Sequence, residues 1–229
     1  MVFPRAAWLP ILTALSLEAS ATTPWRLVRE DPARHITVET RSPQVGNYDE
    51  FRAVMTVPQP PSTVVAVLSD INAWPEWLAR IRKVSVLRRD RNLSWTYVVY
   101  KLPYPFKERD TVLQSALSIE PDGHIRIRSL AVKGAPMPPG EPPRVHLEDL
   151  ESTWVLSPLP DGGTRIDLSG RGEPGGLMPS ILFNYNLPDE PLHTLRWLRV
   201  MLERGKYRAK AAAPDKPSLA RPSAGARPE

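Results

Sequence analysis

The chain has no cysteine among its 229 residues. That excludes disulfides, iron–sulfur ligation, thiolate zinc sites and a cysteine nucleophile, together with lipoprotein attachment. Histidine is sparse, and His35, His124, His146 and His193 never fall at the three- or four-residue spacing of a metal-ligand pair. There is no G-x-S-x-G elbow and no phosphate-binding loop. Gly170, Gly172 and Gly175 do match G-x-G-x-x-G, but no strand follows to carry a ribose-binding acid. No cofactor and no metal is therefore expected. Long apolar runs are also missing: residues 6–17 form the longest candidate, Pro10 interrupts it, and a membrane span needs about 20 residues. Neither sign of charge dominates, with 30 basic against 25 acidic residues. Without a nucleic-acid-binding motif, that balance makes nucleic acid an unexpected partner.

What is present reads as one folded domain between two unfolded ends. A chain 41% hydrophobic and 24% charged builds an ordinary core at this length. Arg5, the apolar run behind it and the small residues Ala19, Ser20 and Ala21 read as a secretory signal over residues 1–21. A cysteine-free chain tolerates an oxidising compartment, so the expected location is the periplasm. Residues 209–229 are Ala, Pro, Ser, Lys and Arg with almost nothing to bury, and read as a mobile tail. The domain is residues 22–208, expected as a monomer.

Within it, residues 35–41 and 51–57 alternate as half-buried strands. Pro58, Pro60 and Pro61 stop the second and open a helix carrying Val64, Val65, Val67 and Leu68. A short helix then places Trp74, Trp77, Leu78 and Ile81 at spacings of three and four. Strands follow at 84–88, 95–102, 109–119, 125–132, 144–148, 152–157 and 165–169, with Asp122-Gly123 and Asp161-Gly162-Gly163 as hairpin turns. Residues 179–207 are helical in pattern, with Leu195, Leu198, Met201 and Leu202 on one face. Pro188 and Pro191 are expected to break or kink this segment. The order satisfies an α+β fold in which a curved antiparallel sheet grips a long C-terminal helix.

Several of these pieces resemble the START domain, the steroidogenic-acute-regulatory-protein-related lipid-transfer module of the helix-grip, Bet v 1-like superfamily. They are Trp25 with Leu27, Ile36 and Val38, then Trp74-Pro75-Glu76-Trp77. The most specific are Pro103-Tyr104-Pro105-Phe106 with Arg109, Asp110 and Val112, then Arg144, and lastly Gly175-Gly176-Leu177 with Pro179 and Asn184. The resemblance implies an interior cavity, closed by the C-terminal helix and a loop, that holds one lipid, sterol or similar hydrophobic ligand. It also implies transient contact with a membrane surface. The prolines at 188 and 191 depart from an unbroken lid helix. The strand 95–101 lacks the interior carboxylate that some relatives pair with the arginine matching Arg109.

Burying an alkyl chain gains about 0.8 kcal/mol per methylene, or on the order of 13 kcal/mol for sixteen carbons. A bilayer offers nearly the same, so such a cavity exchanges ligand near equilibrium as a carrier or sensor. The candidate ligand-binding residues are Arg109, Tyr97, Val99, Leu113, Met137, Leu195, Leu198 and Leu202. Arg109 reads either as a polar anchor for a ligand head group or as one half of an ion pair with Asp110, Glu148 or Asp167. Asp110, by alternation, faces the other way. Met137 lies in the loop 133–143, whose five prolines and two glycines forbid a helix or strand. That loop matches where relatives cover the tunnel mouth. No residue is assigned a catalytic role. The alternative is a cyclase- or hydrolase-like enzyme of the same superfamily acting on a polyaromatic substrate, for which Tyr97, Tyr100, His146 and Arg109 are the available material.

Overall fold

The computed structural model describes residues 23–212, so the expected signal at 1–21 and most of the expected tail lie outside it. Strands β1 (Arg26–Asp31), β2 (Ile36–Arg41) and β3 (Glu50–Val57) lead into helix α1 (Pro61–Leu68), which opens on Pro61 at its first position. A proline there lacks only an N–H that would have had no partner. The short helix α2 (Trp74–Trp77) follows, then β4 (Ile81–Asp90), β5 (Leu93–Tyr100), β6 (Arg109–Ile119), β7 (Ile125–Ala131), β8 (Val145–His146), β9 (Leu150–Pro158) and β10 (Thr164–Gly172). The chain ends in α3 (Ser180–Asn186), α4 (Asp189–Leu202) and α5 (Gly205–Ala212).

The sheet runs β1-β2-β3-β10-β9-β7-β6-β5-β4, antiparallel throughout, with the two-residue β8 added parallel to the start of β6. It curls around the helices, as expected for a helix-grip fold. Its two halves are filled differently. Against β2, β3, β9 and β10, the side chains of α1 and α4 form a solid core: Val64, Val67, Leu195, Leu198, Met201 and Leu202 pack with Ile36, Met55, Leu156 and Ile166. Against β4 to β6 only part of the concave face is covered among the described residues, by Trp74 of α2 and the adjoining Leu78 on Ile81, Val98 and Leu113, and a cavity remains beside them.

Three local expectations are corrected. Ile81 belongs to β4 rather than to the preceding helix, because Leu78 turns extended (ψ 127°) and ends α2. β1 was not anticipated; only two of its six residues, Leu27 and Val28, are apolar, and it pairs along an edge. The C-terminal segment is three helices, interrupted at Pro188 as expected and again between Leu202 and Gly205, which was not expected. Pro188 keeps helical torsions (φ −66°, ψ −23°) but has no N–H to continue the ladder, so α3 and α4 meet at a kink. Pro191 falls in the first turn of α4, where its missing N–H costs little. Helix α5 continues to Ala212, past the expected start of the tail.

Candidate functional site

The cavity measures about 410 Å³. Its long wall is the concave face of β5, β6, β7 and β9, where Tyr100, Leu113, Leu117, Ile127, Leu150 and Trp154 point inward. The floor between them is a cross-strand row. Ser94 pairs with Ser115, Ser115 with Ser129, and Ser129 with Ser152, and all four line the space. Directly opposed residues share one face of a sheet, so these four small side chains leave the room that larger ones would fill. The hydroxyls of Ser115 and Ser129 satisfy one another at 2.7 Å.

Helix α3 covers part of the cavity's open side. Phe183 and the adjoining Leu187 face inward, and Phe183 packs edge-on against Tyr48 with ring centroids 5.2 Å apart. Tyr48 donates to the Met178 carbonyl at 2.9 Å, and Asn184 accepts from the Asp49 N–H at 2.9 Å while donating to the Asn47 carbonyl at 3.1 Å. The outer side of this lid is bare: Leu177 just before it and Ile181 and Tyr185 on it are 97%, 84% and 74% exposed.

Arg109 sits under the turn that precedes the lid. It is buried, lines the cavity, and donates from Nε to Pro174 O at 2.9 Å, from Nη2 to Gly175 O at 3.1 Å, and from Nη1 to Lys107 O. Among the described residues no carboxylate pairs with it, so Asp110, Glu148 and Asp167 are not its partners. Three carbonyl dipoles take that role instead, and burial lowers the guanidinium's pKa. Gly175 and Gly176 both take φ +61°, a left-handed conformation that lets the turn present the Pro174 and Gly175 carbonyls to the arginine.

The other sequence candidates divide. Leu113 lines the cavity beside Arg109's strand neighbours. Tyr97 and Val99 do not: they pack with Val112 on the opposite, convex face, under Val132 and Ala135. Both faces of β5 are covered, so the strand alternates without showing which side is hollow. Leu195, Leu198 and Leu202 belong to the solid core against the other half of the sheet. Met137 is 38% exposed and does not reach the cavity. Its loop folds over the convex face, where Glu141 pairs with Lys83 and with Arg144 at 2.9 Å, rather than over the mouth.

Convex-side chemistry is concentrated at Asp110. Its Oδ2 accepts from the Tyr97 hydroxyl at 3.0 Å and its Oδ1 from His146 Nδ1 at 3.0 Å, while Arg144 donates to the Tyr97 oxygen at 3.1 Å. Asp110 thus faces away from Arg109. Burial, followed by the Asp110 hydrogen bond, pushes the Tyr97 phenol up to about 12. Tyr97 and His146, two of the groups available to an enzyme, are therefore separated from the cavity by the sheet.

Sequence reasoning missed a charged pair on the cavity lining. Arg80, in a left-handed conformation (φ +62°) just before β4, binds Glu190 in the first turn of α4. Both line the cavity, and 38% of the Glu190 side chain stays accessible. Burial raises the Glu190 carboxyl's pKa in spite of Arg80. A signal existed: Glu190 and Thr194 interrupt with polar groups a helix face that is otherwise apolar. For a metal, the described residues offer Glu120, Asp122 and His124 at the exposed β6–β7 turn, where Arg126 already holds Glu120 at 2.8 Å.

Comparison with known proteins agrees with this architecture. Residues 48–182 match the family model described as polyketide cyclase/dehydrase and lipid transport. An uncharacterized Pseudomonas aeruginosa protein is 28% identical over 180 residues, covering 79% of this chain and 87% of that one. The crystal structure of a STAR-related lipid transfer protein from Xanthomonas axonopodis superposes with a TM-score of 0.71 at 28% identity, over 79% of this chain and 99% of that one. Human StAR-related lipid transfer protein 5 shares the fold, with a TM-score of 0.66 at 16% identity over 78% and 86% of the two chains. A sheet that grips its C-terminal helix around a lidded cavity, in a chain matched over more than half its length, belongs to the polyketide cyclase/dehydrase and lipid transport family.

Proposed function

We propose that the protein holds one hydrophobic molecule in this cavity and carries or senses it in the periplasm, as a monomer that touches membranes only transiently. The observation that carries the reading is the lidded, largely apolar cavity of about 410 Å³. It lies within the ~300–1,000 Å³ typical of small-molecule sites. A site in that range suits one acyl chain or one fused-ring skeleton. The exposed apolar side of α3 supports the membrane contact, because the lid itself would meet the acyl chains. Among the described residues no helix is long and apolar enough to span a membrane.

Catalysis is the second reading, and the family description favours it by naming cyclases and dehydrases. Against it, Tyr97 and His146, two of the four groups the sequence offered to an enzyme, lie across the sheet from the cavity, and of those four Tyr100 and Arg109 line it. Native mass spectrometry of the protein purified from its own host, followed by organic extraction, tests the proposal. One stoichiometric apolar adduct is the expected result. A bare mass, unchanged after incubation with mixed lipid vesicles, overturns the carrier reading in favour of the enzyme.

A further inference from the structure

The cations that line the cavity differ in what they meet. Arg80 binds Glu190, Arg171 binds Glu151 at 2.9 Å, and Arg109 bonds to three carbonyls. Arg89 and Arg91 also line it, both are exposed, and neither has an ion pair or a hydrogen bond among the described residues. Strand register explains where they stand. Arg89, near the end of β4, lies directly opposite Ser94 on β5, so it shares the concave face with the serine row. Its neighbours Arg88 and Asp90 alternate to the convex face, where Arg88 lies over the Trp95 ring at 4.8 Å and meets Asp90 at 3.6 Å. Arg91 begins the two-residue turn between Asp90 and its partner Leu93, and takes φ +44°. A left-handed residue in so tight a turn is ordinarily glycine, asparagine or aspartate. An arginine there gives up backbone stability without meeting a partner. The Cα atoms of Arg89 and Arg91 are within about 7.6 Å of one another, two peptide steps, so both side chains can reach one group. The lining carboxylates without an arginine, Asp49 and Glu173, adjoin β3 and β10, at the far side of the strand order from β4. Arg80 and Arg109 adjoin the opposite end of β5, about 20 Å along the strand from Ser94.

We propose that Arg89 and Arg91 form an anion-binding rim at the β4–β5 turn, and that the ligand is an amphiphile with its apolar tail in the cavity and its carboxylate or phosphate on these two guanidiniums. This rests on the cavity reading above and gives the ligand a charge and a direction. A guanidinium offers either anion parallel, charge-assisted hydrogen bonds. A head group at an exposed rim also keeps part of its hydration, so no unpaired charge is carried into the apolar interior. A neutral ligand would leave both arginines as they stand, one of them in a conformation that only a partner repays.

The test uses the purified full-length protein stripped of lipid, with hexadecyl phosphate, hexadecanoic acid and 1-hexadecanol delivered from cyclodextrin and binding read by calorimetry. At low ionic strength the phosphate, the carboxylate or both are expected to bind about tenfold more tightly than the alcohol, and the tighter one names the head group. In 1 M salt, where charges are screened beyond ~3 Å, that advantage is expected to shrink to about threefold. Replacing both arginines, Arg89→Gln with Arg91→Gln, is expected to remove the advantage and leave hexadecanol affinity within about twofold. Equal binding of all three probes to the parent overturns the rim but not the cavity, and binding of none overturns both. An advantage that survives the double variant also overturns the rim, and places the head toward Arg80 and Arg109. If that variant instead loses its hold on phosphatidylglycerol vesicles, the two arginines serve an anionic bilayer and not the ligand.

Discussion

Arg109 carries a charge into the interior and, among the described residues, bonds to carbonyl oxygens there, those of Lys107, Pro174 and Gly175. Its work is therefore to hold the turn before the lid. Arg109→Ala strands two or three buried carbonyls at about 1–3 kcal/mol each. The expected loss, read by urea denaturation, is at least about 2 kcal/mol. Arg109→Lys recovers little of it, since an ammonium cannot fork to three carbonyls. A variant as stable as the parent would show that the turn does not need the arginine. Tyr97 makes a second prediction at this scale. Its phenol is raised from the ordinary value near 10 to about 12, so the folded state keeps a proton that the unfolded state gives up. The resulting stability is complete below pH ~10 and is lost as pH rises through about 12. Tyr97→Phe is expected to flatten the alkaline limb of a stability–pH profile between these values, with ligand affinity untouched. An unchanged limb would count against the buried Tyr97–Asp110 bond.

Helix α3 has two apolar sides, and only one has a partner. Phe183 and Leu187 face the cavity, whereas Ile181 and Tyr185, four residues apart, face solvent. Ile181→Lys puts a charge on the outer side without touching the inner. It is expected to slow ligand transfer between fluorescent donor and acceptor vesicles several-fold while equilibrium binding of a soluble probe stays constant. Loss of both would place Ile181 in the fold rather than at a membrane. Much at this scale was legible in the chain. The bounds of β6 and the kink at Pro188 follow from alternation and from proline's missing N–H. The inward face of β5 did not, because the loop over the convex face buries Tyr97 and Val99 as fully as the concave side buries Val98. Nor could the apolar face of α4 say whether Leu195, Leu198 and Leu202 met a cavity or a solid core, since both demand the same residues. Glu190 and Arg80 lie 110 positions apart, and only the fold brings them together.

Across the whole molecule, the halves of the sheet do separate work. Leu198 is fully buried in the solid half. Leu198→Ala is expected to cost about 3 kcal/mol in thermal or chemical denaturation, and to leave the affinity for a soluble apolar probe within twofold in conditions where the variant is folded. A large fall in affinity would mean that the halves are coupled. Substitutions far apart and without shared partners add to within about 0.5 kcal/mol. The four serines of the cavity floor are held in place by strand pairing, and none of them belongs to the solid core. Enlarging one of them shortens the chamber while the helices keep their seats. The length of molecule the chamber accepts can therefore be reset one serine at a time, at little cost to the solid half.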